Sequence, residues 1–113
     1  MYLPNGDRAF IDLRKLLDYS LCATHPVGGH KARLFKEALG IESQDAEVIA
    51  ESLGWVAAHA IAADEHEDPH GKRYSIDFAL ETGNGSAVIR SAWIIRSGED
   101  FPRLTTVFVL TSP

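Results

Sequence analysis

The sequence predicts an α+β fold, with N-terminal helices packed on a C-terminal antiparallel meander of three strands and residues 8–11 available as a fourth strand at an edge. Three observations carry this. Apolar residues recur at helical spacing as far as Ile61, then alternate with period two from Arg73 onward. Turn-forming residues punctuate the second half at 82–85 and 96–102. The segment SAVIRSAWII, 86–95, is apolar on both faces apart from Arg90 and Ser91, as a strand in the middle of a sheet requires.

Pro4-Asn5-Gly6 opens the chain with a turn, because asparagine and glycine tolerate positive φ. Asp12 is a good N-cap for a short helix whose apolar face is Leu13, Leu16, Leu17 and Leu21. The stretch 24–29 (THPVGG) breaks it. A second helix starts near Gly29 or His30, buries Ala32, Phe35, Ala38 and Leu39, and ends at Gly40, a natural C′ residue. A third starts at Ser43 or Gln44 and keeps Ala46, Ile49, Ala50, Leu53, Ala57, Ala60 and Ile61 in phase. Gly54 costs that helix about 1 kcal/mol relative to alanine, so a close helix contact or a bend is expected there. The stretch ADEHEDPHGK, 63–72, reads as a polar loop. RYSIDFAL, SAVIRSAWII and RLTTVFVL are the three strands, the first two joined through a primed turn at Asn84-Gly85. Trp93, Phe35, Leu16 and Leu53 are the expected junction of helices and sheet.

The 113 residues suit one domain, 1–113, and 45% hydrophobic content fills one modest core. The single cysteine, Cys22, excludes an internal disulfide and carries no nucleophile signature, so a buried, inert thiol is expected. The first ten residues do not read as a signal peptide, and no stretch approaches the roughly 18 apolar residues of a membrane span, so a cytoplasmic protein without a membrane partner is expected. The net charge of −5 is uneven: +3 over residues 1–36, −9 over 37–70 and +1 over 71–113. That balance argues against a wholly basic nucleic-acid binder and leaves room for a basic face built from the two flanking segments.

The chemistry-bearing stretch is HPVGGHKARLF, 25–35. Glycines let a ligand approach the backbone, and a helix N-terminus favours phosphate or carboxylate. Lys31 and Arg33 add charge, and a histidine such as His30 is the side-chain type that exchanges protons near neutral pH. Read structurally, the same stretch is a polar helix entry turned by glycines. Arg90 interrupts an apolar strand; it either pairs, for example with Asp77 across the hairpin, or points into a cleft. Arg103, Thr105 and Thr106 open the last strand, where threonine is common for packing reasons alone. His59, His66 and His70 lie in or near the acidic stretch with Asp64, Glu65 and Asp68, but their spacing matches no zinc pattern, so no metal and no cofactor are expected.

The ordered set LPNGDRAFIDLRKLLDYSL, HPVGGHKARLF, GKRYSIDF and VIRSAWIIRSGEDFPRLTTVFVL resembles an uncharacterised bacterial family of small domains across nearly the whole chain. Such domains are often standalone and also end phage-head-like and secreted toxin-like proteins. More distantly, the layout is similar to the barnase/EndoU/colicin/RelE-like ribonuclease toxins, which cleave RNA without metal. That resemblance implies His30 or His25 as general base or acid, Lys31 and Arg90 as stabilisers of the phosphorane, and Thr106 as a phosphate holder. Gly28, Gly29, His25 and Arg103 would complete the binding site. The acidic third helix departs from the basic character usual in such toxins. Two readings follow. One is a metal-independent ribonuclease of toxin or effector type, acting on RNA. The other is a non-catalytic module that docks on a small neighbouring protein of antitoxin type.

Overall fold

In a computed structural model of the chain, residues 1–22, 24 and 29–110 are described, with only the backbone of Tyr19, Ser20, Asp64 and Glu65. A 3-10 turn at Gly6–Arg8 leads into α1, Leu13–Lys15, which continues as a π turn over Leu16–Ser20. Then come α2, Gly29–Leu39, a 3-10 turn at Ser43–Asp45, and α3, Ala46–His59. Four antiparallel strands follow in sheet order β1-β2-β3-β4: Ala63–Asp68, Gly71–Thr82, Gly85–Arg96 and Arg103–Val109.

The helices begin and end for local reasons. Asp12 accepts a hydrogen bond from the Arg14 amide at 3.0 Å and caps α1. The Leu21 amide then reaches the Leu16 carbonyl at 2.8 Å, the wider loop of a π turn, which leaves Leu16 and Leu21 buried and Leu17 exposed. Gly40 stops α2 at φ 69°, a left-handed C′ geometry suited to glycine. Gly54 does not mark a close contact: a Cβ there would meet only the Ile11 Cδ1, at 3.9 Å. The crowded glycine is Gly6, where a Cβ would sit 1.8 Å from the Ala57 carbonyl oxygen of α3. The N-terminal turn is thus pressed directly onto the α3 backbone.

β3 lies between β2 and β4, as its two-sided apolar character requires. Its alternation divides the molecule. Ile89, Ser91 and Trp93 are buried towards the helices, in register with Phe78, Ile76 and Tyr74 of β2 and with Val109, Val107 and Leu104 of β4. Phe35, Leu16 and Leu53 close this core from the helical side, each fully buried. The opposite face carries Arg90, Ala92 and Ile94, beside Asp77, Ser75 and Arg73.

Two strand assignments differ from the sequence reading. The fourth strand comes from Ala63–Asp68, within the stretch read as a loop, and not from residues 8–11. Charged side chains suit an edge strand, whose backbone can pair while its side chains stay in water. Pro69 and His70 make the turn, with Asp68 accepting from the His70 amide at 2.8 Å. Of residues 8–11, Phe10 forms a single parallel bridge to Arg103. The β2–β3 turn falls one residue early, at Gly83-Asn84, and neither residue has positive φ. The Thr82 hydroxyl accepts from the Asn84 amide at 3.1 Å and donates to the Leu39 carbonyl at 2.8 Å, tying the hairpin end to α2.

Truncating Trp93 to alanine should cost about 3–5 kcal/mol in denaturant melts, because the side chain is large and fully enclosed. Gly54→Ala should instead stabilise the fold by about 0.5–1 kcal/mol, since the site has room and the helix gains propensity. A loss of stability in the second variant would show that α3 needs the bare backbone there.

Candidate functional site on the open face of the sheet

The face of the sheet turned away from the helices is laid out by strand register. His66 lies opposite Arg73, Arg73 opposite Ile94, and Ile94 opposite Arg103. In the next rows Ser75, Ala92 and Thr106 are aligned, then Asp77, Arg90 and Phe108. An irregularity between Ala92 and Trp93 inserts Thr105 into β4. Together these strands form a cavity of about 170 Å³ whose lining includes His66, Arg73, Ser75, Arg90 and Thr105. That volume is below the roughly 300–1,000 Å³ of drug-sized sites and suits one phosphate-sized group.

Each arginine of the cavity is oriented by a carboxylate. Arg90 donates from Nε and Nη2 to the two Asp77 oxygens, both at 2.8 Å. Arg73 donates from Nε to Asp68. These hydrogen bonds hold both aspartates below their ordinary carboxylate pKa. A planar guanidinium fixed along one edge presents its other edge in a defined direction. His66, exposed on β1, is the titratable side chain beside them. The Thr105 hydroxyl donates to the Ala92 carbonyl at 3.0 Å, whereas Thr106 Oγ1 is enclosed without a hydrogen-bond partner among the described residues.

The residues singled out from sequence are dispersed by this geometry. Gly29 opens α2 and is buried. His30 is exposed on α2, and its side chain makes no hydrogen bond or ion pair among the described residues. Lys31 reaches the sheet: its Nζ lies 4.9 Å from the centroid of Phe108, the cross-strand partner of Arg90. Arg90 takes the Asp77 pairing. Arg103 is held by Glu99 through two hydrogen bonds of 2.9 and 2.8 Å and lies over the rings of Phe10 and Phe101. His25 and Gly28 lie outside the described residues. Cys22 is half-buried, with its sulfur 3.4 Å from the Thr24 hydroxyl. Among the described residues no three His, Cys, Asp or Glu side chains come together as a metal site.

No local motif of the sequence groups His66, Arg73 and Thr105. The signal was present in the alternation Arg73, Ser75, Asp77, already polar on one face of β2. Aligning it with Arg90 needs the hairpin register, and bringing in His66 needs β1 to be a strand.

The family model described as a domain of unknown function, DUF6883, matches residues 2–111. Comparison with curated proteins finds no match. Among solved structures, a chain of a contact-dependent growth inhibition toxin–immunity protein complex from Klebsiella pneumoniae 342 superposes with a TM-score of 0.69. It is 16% identical, and the alignment covers 88% of this chain and 98% of that one. The likeness is one of fold. No helix among the described residues is long and apolar enough to cross a membrane.

The Asp77–Arg90 pair should leave a pH signature. A carboxyl lowered in the folded state adds stability that is present above its ordinary value of 3.8 and lost as pH falls below it, through the folded pKa. Both side chains are about 40% exposed, so the contribution is that of a surface pair, about 0.2–1 kcal/mol. Urea melts of wild type and Asp77→Asn should differ by that amount near neutral pH and converge as pH falls below 3.8.

Proposed function

Since the chain belongs to the DUF6883 family, whose function is unassigned, we propose its chemistry from the site: an RNA-cleaving effector domain, independent of metal, acting on the open face of the sheet. The observation that carries this is the convergence of His66, Arg73, Arg90 and Thr105 on one phosphate-sized cavity. In this reading the ribose 2′-oxygen attacks the adjacent phosphorus, and the bond to the 5′-oxygen breaks. His66 takes the 2′-hydroxyl proton and passes it to the departing 5′-oxygen, in place of His30 or His25. Arg73 and Arg90 stabilise the charge on the non-bridging oxygens as it develops. Lys31, beside Phe108, adds positive charge at the margin, and the Thr105 hydroxyl holds the phosphate in place of the enclosed Thr106 hydroxyl. The fold shared with a chain of a toxin–immunity complex supports the effector setting.

The second reading, a non-catalytic module docking on a small partner protein, is favoured by one feature. Both arginines of the cavity already face a carboxylate, as structural arginines do.

Incubation of purified protein with total RNA in EDTA separates the two readings. Cleavage is expected, lowered by about 100-fold or more in His66→Gln and Arg73→Lys and unaffected in His30→Ala. Thermal melts establish that each variant is folded. Intact RNA with folded wild type would overturn the catalytic reading. Cleavage lost in His30→Ala and kept in His66→Gln would return the site to the start of α2.

A further inference from the structure

The pairing of β1 with β2 stops at Ala63 and Ser75, while β2 runs on to Thr82. Along residues 76–82, on the side away from β3, β2 has no neighbouring strand among the described residues. Half of an interior strand is therefore a sheet edge, with backbone donors and acceptors turned outward. Beside it runs α3. Two cavities lie between them, of about 270 and 240 Å³, and Leu80 lines both. Trp55 and Phe78 border the first, Val48 and Thr82 the second. Phe78, Ala79 and Leu80 are consecutive and all line the first cavity. Consecutive strand residues point to opposite faces, so the trough opens on the backbone edge of β2 and not on one face of the sheet.

The trough is apolar at its base and acidic at its rim. Trp55 is 63% exposed and Val48 57%, and their spacing of seven residues puts both on one face of α3. Exposed Glu81 and half-buried Asp45 line the second cavity, and exposed Glu51, three residues after Val48 and four before Trp55, shares their face of α3. Among the described residues Glu51 and Glu81 form no ion pair. We propose that residues 76–82 of β2 and the adjacent trough of α3 are a strand-addition site for a basic partner protein. The partner would supply one extended segment in which apolar residues alternate with lysine or arginine. Main-chain hydrogen bonds to the β2 edge would give affinity, apolar side chains would fill the trough against Trp55 and Leu80, and cations would meet Glu51 and Glu81. A second copy of this chain fits poorly. Antiparallel pairing of two such edges about Ala79 sets Asp77 of one against Glu81 of the other, and like charges facing across strands are destabilising. The trough shares no lining residue with the cavity of His66 and Arg73, so the proposal stands whether or not RNA is cleaved.

The probe is a capped ten-residue peptide alternating valine and lysine, tested on the intact chain by titration and by backbone hydrogen exchange. Binding should slow exchange within residues 76–82. Of two analogues N-methylated on alternate amides, one phase should abolish binding and the other keep it, since only one edge of the added strand faces β2. A valine–glutamate peptide, and the valine–lysine peptide on a Glu51→Lys/Glu81→Lys variant, should each bind about tenfold more weakly or worse. No binding at millimolar peptide, binding without protection of 76–82, equal binding of both N-methylated analogues, or indifference to charge would each overturn the proposal. So would a dimer of the chain alone that protects these same residues.

Discussion

Trp93 sits at the middle of the central strand, and the rest of the molecule is arranged about the way it is held. Its indole N–H donates to the Ser91 hydroxyl at 2.9 Å, and that hydroxyl donates to the Ile76 carbonyl at 2.9 Å. Both side chains are buried, and an indole N–H without a partner there would cost about 1–3 kcal/mol. The relay supplies the partner and pins β3 to β2 in one register. A slip of one residue would turn Trp93 out to the open face and Arg90 into the core. The same register that buries the indole lines up His66, Arg73, Arg90 and Thr105 on the other side.

The sheet thus has two faces with different electrostatics. The helix-facing side is sealed by Leu16, Phe35 and Leu53. The open side carries Arg73 and Arg90, each oriented by an aspartate of a neighbouring strand. Oriented arginines serve either structure or recognition, and the surroundings decide. Here they border a cavity that a histidine and hydroxyl side chains also line. Of the nine acidic residues in 37–70, two lie on α3 and four on β1, the strand at the edge of the open face.

The motifs that make the sequence recognisable are largely a clasp. Asn5 donates to the Asp100 carbonyl at 2.6 Å and Arg8 pairs with the Asp100 carboxylate at 3.0 Å. Gly6 presses on the Ala57 carbonyl. Glu99 holds Arg103, which Phe10 and Phe101 cover. The N-terminal LPNGDR stretch and the GEDFPR stretch thereby lock the entry segment to the start of β4. Residues that stand out in the sequence for this reason position the sheet without touching the cavity.

Local physics was legible in the chain itself. The Asp12 cap, the Gly40 stop, the helical phase of Phe35 and Leu53, and the interior place of SAVIRSAWII each depend on neighbours in sequence or on periodicity. The Asp77–Arg90 pairing was also within reach, as one of two outcomes for a cation in an apolar strand. The candidate site was legible only in fragments. HPVGGHKARLF drew notice because glycines, histidines and cations are adjacent in sequence, yet His30 and Arg90 depend on different elements. Ala63–Asp68 read as a loop because its charges hide a strand whose pairing energy comes from the β2 backbone. Long-range register decided that His66 lies opposite Arg73, and a one-residue irregularity in β4 put Thr105 into the cavity while enclosing the Thr106 hydroxyl. Pairing across strands is a property of two segments at once, so no single stretch of sequence contains it.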